Sequence, residues 1–199
     1  MIDKVEGERI GADFNPYLIE ALKLIRDNPE SLPNHVSEEM YQEAKGDKLE
    51  RGLTGYIAFA FSFGAKWFGG YRRDVAGSKG CTVNELTQSR RSKADALKQS
   101  TKLQDVTFIH SSYKDLKIPD NSLIYCDPPY ENTTSYKDAF NHSDFWQWCR
   151  EKHTEGHKVF ISEYNAPEDF ECVWSMEVST TLNSSKKDIE KLFTFDELC

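Results

Sequence analysis

Two consecutive prolines directly behind an apolar strand are the tightest constraint in this chain. Ser122-Leu123-Ile124-Tyr125-Cys126 has the mostly apolar run of a strand buried in a parallel sheet. Pro128 and Pro129 then fix two φ angles and remove two backbone donors, so the strand must end there. The product is a rigid loop, Asp127-Pro128-Pro129-Tyr130, at the carboxyl end of a strand, where open α/β sheets bind ligands. Its chemistry is rich in acceptors: carbonyl oxygens presented rigidly beside the Asp127 carboxylate. Such a cradle suits a ligand that donates two N–H hydrogens, as an exocyclic amine does. Tyr130 adds a flat face on which an aromatic ring can stack.

The rest of the chain supplies a sheet for this loop. Arg9–Asp13 reads as a strand ending in a carboxylate, and Pro16 starts a helix with apolar residues at Tyr17, Leu18, Ala21, Leu22 and Ile25. The segment Asn28–Pro33 ends that helix. Two helices are expected between Ser37 and Phe63, the second strongly apolar, followed by a glycine-rich, aromatic loop from Gly64 to Arg73. Thr82 is expected to cap a polar helix reaching Ser100, with Glu85 completing a capping box. Strands follow at Val106–His110 and Lys158–Ser162, with a helix at Asp144–Lys152 between Asp127 and the latter. Glu171–Thr180 and Ile189–Phe195 are two late strands with no helix between them, which predicts antiparallel pairing. The expected architecture is α/β. It combines a mostly parallel, Rossmann-like sheet and a terminal antiparallel pair in residues 1–36 and 103–199 with a mainly helical insertion at 37–102.

Charge is unevenly spread. The whole chain carries −8, yet Lys66 to Lys102 holds nine basic residues against three acidic ones. An acidic body with one basic segment suits a nucleic-acid-contacting arm, and a solvated helix face is the plainer alternative. Lys66, Arg72, Arg73, Arg90 and Arg91 are the candidate phosphate contacts, whereas Trp67 and Tyr71 are expected to pack. The five cysteines are scattered and never spaced as Cys-x-x-Cys, which argues against a disulfide framework and a zinc site, and no metal is expected. No apolar run approaches the roughly 20 residues of a membrane span, and the first residues lack signal-peptide character, so a cytoplasmic protein is expected.

The strand followed by Asp127-Pro128-Pro129-Tyr130 resembles the catalytic motif of adenine-N6 DNA methyltransferases, particularly the Dam-like methylases of bacteria and phages, a family also met in restriction–modification. The resemblance implies that Asp127 and the Pro128 carbonyl accept hydrogen bonds from a flipped adenine, that Pro129 stiffens the loop, and that Tyr130 stacks on the base. Gly11-Ala12-Asp13-Phe14-Asn15 is similar to the family's second cofactor motif. By that likeness Asp13 binds the ribose hydroxyls of S-adenosylmethionine and Phe14 packs on its adenine. Ser112 and Tyr113 lie where the family contacts the cofactor adenine, and Asp127 borders the cofactor as well. Val159–Tyr164 resembles the strand and loop that wall the target-base pocket, and Lys186–Glu190 the start of the family's final strand.

The long interval between Asp13 and Asp127, with its basic helical content, is the layout of a Dam-like enzyme whose DNA-recognition subdomain lies between the two motifs. Double-stranded DNA is therefore the expected partner, ahead of RNA or protein. The family's lysine-bearing first segment and its glycine-rich turn of the type Glu-Pro-Phe-x-Gly-Gly have no counterpart here. The resemblance thus implies a truncated member, poor at holding S-adenosylmethionine and inactive alone unless an upstream polypeptide supplies that front end. A non-catalytic DNA-binding remnant and an RNA or protein methyltransferase are the alternatives.

Overall fold

Local sequence signals set the helix boundaries. In the computed structural model, which describes residues 5–72, 75–76, 82–83, 85–131, 140–179 and 187–195, strand β1 (Arg9–Asp13) leads into helix α1 (Pro16–Asp27). Asn15 caps α1 by accepting from the Tyr17 and Leu18 amides at 3.0 and 3.3 Å, and Pro16 sits where its missing N–H is no loss. A 3₁₀ turn at Pro29–Ser31 follows. Ser37 caps α2 (Glu38–Lys45), and the apolar α3 (Arg51–Ala60) comes next. The short strands β2 (Val75–Ala76) and β3 (Thr82–Val83) pair antiparallel ahead of α4 (Glu85–Ser100) and β4 (Val106–His110).

One expectation fails here. Thr82 is not the cap of α4, because it sits in the β3 ladder opposite Ala76 and the helix begins only at Glu85. An N-cap must immediately precede the first turn, and Glu85 is itself the first helical residue rather than the third.

The chain divides into two compact units, Met1–Leu116 and Lys117–Cys199. In the first, β1 and β4 run parallel, with Asp13 opposite His110. The core is built by α1, α2, α3 and α4 around fully buried Tyr41, Ile57, Phe61, Leu32 and Val36. Burying each such large side chain contributes roughly 1.5–3 kcal/mol. The helices of segment 37–102 thus share a core with α1. Gly55 marks the closest approach: a Cβ there would stand 2.0 Å from the Tyr17 carbonyl oxygen, so α1 and α3 touch backbone to side. Two hydrogen bonds join buried polar groups across the same core. The Tyr71 hydroxyl donates to the Val36 carbonyl at 2.8 Å, and the Val36 amide donates to Ser89 Oγ at 2.9 Å.

The second unit holds β5 (Leu123–Cys126), α5 (His142–Thr154), β6 (Lys158–Glu163), β7 (Phe170–Ser179) and β8 (Lys187–Phe195). The sheet order is β5-β6-β8-β7. β5 and β6 are parallel, and β8 lies antiparallel to both β6 and β7. Three strands therefore run one way, with the last strand inserted against them. The late strands pair antiparallel as expected, since the seven residues between them are too few for the crossover that a parallel pair needs. Among the described residues β1 pairs with β4 in the first unit, and β5 pairs with β6 in the second. Alternation along β6 buries Val159, Ile161 and Glu163 on one face and turns Phe160 and Ser162 to the other.

Candidate active site

The Asp-Pro-Pro-Tyr loop leaves the sheet at the carboxyl end of β5, as two prolines after a strand require. Pro128 is buried, Pro129 and Tyr130 are half-buried, and the Asp127 side chain reaches solvent. Three consecutive residues at the end of the neighbouring strand β6 hold the loop. Tyr130 Oη and Ser162 Oγ are 2.5 Å apart, and the Tyr130 ring meets Tyr164 edge-on at 4.7 Å. The Glu131 amide donates to Glu163 Oε1 at 2.6 Å, and the Tyr164 amide to Glu163 Oε2 at 3.1 Å. Register explains the gathering: Cys126 pairs with Ile161, so the residues after β5 and those ending β6 emerge side by side.

Electrostatics at this point favour neutral or proton-holding groups. The protein around Asp127 removes enough water to raise its carboxyl above the usual range although the side chain is exposed, and the negative charge of Glu190 adds to this. Burial likewise pushes the Tyr130 hydroxyl up to about 12, partly opposed by its bond to Ser162. Tyr125, on the same sheet face as Ser162, is raised chiefly by desolvation. Glu163 is raised by burial, against the lowering effect of its two amide donors.

In the first unit the candidate nucleoside-binding residues meet at the carboxyl ends of β1 and β4. Asp13 Oδ1 accepts from the Asn15 amide at 2.6 Å, and the Ser111 amide donates to the Asp13 carbonyl at 3.1 Å. Phe14 is 71% exposed, with His110 as its neighbour: His110 Nε2 lies 3.1 Å from the Phe14 carbonyl, and the rings stand 6.2 Å apart. A carboxylate at a strand end beside an open aromatic face fits a nucleoside, which offers a diol to an acceptor and a ring to stack. Ser112 has a local task, since its Oγ accepts from the Lys114 amide at 3.2 Å and shapes the turn that carries half-buried Tyr113.

The basic segment splits in two. Lys66, Arg90 and Arg91 are exposed and Arg72 is half-buried, while Arg73 lies outside the described residues. Half-buried Lys93, by contrast, is tied to the fold, its Nζ donating to the Glu30 and Leu32 carbonyls at 2.8 and 2.7 Å. Trp67 packs against Tyr17, Phe59 and Phe68, in line with its expected packing role. Among the described residues no group of His, Cys, Asp or Glu could hold a metal ion, and no helix is long and apolar enough to cross a membrane.

Sequence reasoning did not single out Glu163, Glu190, Tyr125 or His110. For Glu163 a signal was present: an acid at a buried position of the alternation in β6. The other three become site residues only through register.

The anchored Asp127-Pro128-Pro129-Tyr130 loop is the feature that carries the resemblance to amino-group methyltransferases. Residues 69–191 match the D12 class N6 adenine-specific DNA methyltransferases, and the chain belongs to that family. The resemblance to Dam-like adenine-N6 methyltransferases is thereby borne out. Members of the family methylate adenine N6 in DNA and use S-adenosylmethionine. No curated protein matches the chain.

Proposed function

We propose that this chain methylates the N6 amine of adenine in double-stranded DNA. The observation that carries the reading is the anchored loop: a partly desolvated Asp127 next to a tyrosine ring fixed by Ser162 and Tyr164. Asp127 and the Pro128 carbonyl would accept the two amine hydrogens, turning the nitrogen lone pair out of ring conjugation. Tyr130 would stack on the extruded base, whose cost of leaving the duplex is a few kcal/mol. The raised carboxyl of Asp127 suits a group that must take up the proton the amine gives up.

S-adenosylmethionine, when bound, supplies an electrophilic methyl group. The residues that would hold its adenosine are Asp13, at the ribose, and Phe14, at the ring, with Tyr113 and Ser112 beside it. We read the fold as a Rossmann-like methyltransferase sheet at 1–36 and 103–199, and segment 37–102 as the DNA-recognition subdomain. Exposed Lys66, Arg90 and Arg91, with Arg72 and Arg73, would contact phosphates.

Transfer of tritium from labelled S-adenosylmethionine to DNA, RNA or protein tests the reading. Label on adenine in DNA is the expected result, and Asp127→Ala should reduce it at least roughly a hundredfold. Label on RNA or protein alone, or Asp127→Ala activity within about tenfold of the parent, would refute it.

A further inference from the structure

Glu163 is a carboxylate only 2% exposed, at the end of β6, and both of its oxygens are taken by backbone amides. One oxygen accepts the Glu131 amide, the first N–H beyond the Tyr130 ring. The other accepts the Tyr164 amide, directly under the ring that meets Tyr130 edge-on. With two prolines in it, the loop has few backbone donors with which to tie itself down. We propose that Glu163 is a positioning residue that latches the Asp127–Tyr130 loop to β6 and so sets where the Asp127 carboxylate and the Tyr130 ring stand. It touches no substrate. Its catalytic consequence rests on the methyltransferase reading above, whereas the latch itself does not.

The chemistry needs two acceptors. A glutamine of the same shape keeps one oxygen and turns an NH₂ toward the second amide, donor against donor, so one of the two contacts must break. The Glu131 contact is the one expected to break, because Tyr164 is the next residue in the chain and its amide stays beside the Glu163 side chain. A buried acid that served only as filler would tolerate that exchange without moving the loop. Among the described residues, the charged and titratable groups facing Glu163 include Glu131 on the loop itself, neighbouring Tyr164, His142 at the start of α5, and Lys191 opposite it on β8.

Amide resonances of the ¹⁵N-labelled chain followed across pH test the latch without any assay of activity. The Glu131 and Tyr164 amides should titrate with one shared midpoint, above that of a solvent-exposed glutamate. Glu163→Gln should abolish the transition at both while the Asp144 amide, capped by Asn141, stays put. Midpoints that differ between the two amides in the parent chain, a measurement needing no variant, would overturn the proposal, as would a transition that survives in Glu163→Gln. In the methyl-transfer assay Glu163→Gln should lower kcat about tenfold to a hundredfold, the scale expected for misplacing a catalytic group by an ångström. KM for DNA should stay within roughly threefold of the parent. An unchanged kcat overturns the positioning role. A parent chain that transfers no methyl group would refute the functional reading, and the amide titration would still decide the latch.

Discussion

Gly55→Ala tests how closely α1 and α3 are tied to the loop that carries Asp13. An alanine Cβ would lie 2.0 Å from the Tyr17 carbonyl oxygen, 2.7 Å from its carbon and 3.1 Å from Ala21 Cβ. The closest ordinary C···O contacts are roughly 3.3 Å, so the helices must part by about 1.3 Å at this point. Backbone atoms cannot rotate aside as a side chain can. Two terms compete. Alanine favours the helix by about 1 kcal/mol over glycine, whereas forcing an extra carbon into a packed contact costs about 1–3 kcal/mol even where side chains can yield. With backbone on one side the cost lies at or above the top of that range, and a net loss of about 2 kcal/mol is expected. Tyr17 sits two residues after the capping Asn15, so the displacement reaches the Asp13–Asn15 turn. Urea denaturation followed by near-UV circular dichroism should show the midpoint falling by roughly 1 M. Gly52→Ala is the control: its Cβ would meet the Glu20 carbonyl at 3.0 Å and Leu24 Cβ at 3.3 Å, a tight but adjustable fit. That variant should stay within about 1 kcal/mol of the parent, because helix propensity and crowding nearly cancel. Gly55→Ala unfolding at or above the parent's midpoint would refute the reasoning.

Arg150 and Asp169 form a bidentate pair at 2.6 and 2.8 Å, with both side chains about one-third exposed. The Arg150 guanidinium holds the Asp169 carboxyl below its usual range, so its contribution is present above the unfolded carboxyl pKa and lost as pH falls through the folded one. Asp169→Asn should cost about 1 kcal/mol at pH 7, after allowance for solvent screening, and less at pH 2. Melting curves at the two pH values check this, and a loss that persists undiminished in acid would contradict it. Changing Arg72, Arg90 and Arg91 to alanine should weaken binding to duplex DNA and flatten the plot of log affinity against log salt by about one unit per lost phosphate contact. An unchanged slope would mean that these arginines make no phosphate contact.

The sequence alone determined the elements whose cause is local. Arg9–Asp13 is a strand over the expected residues, and Pro16 with Asn15 starts α1 where proline and a capping side chain dictate. Asp127-Pro128-Pro129-Tyr130 was legible for the same reason, since two prolines end a strand whatever surrounds them. Thr82 shows the opposite case: a cap and a strand residue share extended backbone, and only the pairing with Ala76 decided between them. Lys93 belongs to the basic run in the sequence, yet its ammonium is tied to carbonyls some sixty positions upstream. The latch is of the same kind. Nothing near Glu163 in the chain indicates that its carboxylate reaches the Glu131 amide; the parallel register of β5 and β6 brings them together. Periodicity and proline report on a residue and its neighbours, whereas the site depends on which strand ends emerge side by side, and tertiary packing alone settles that.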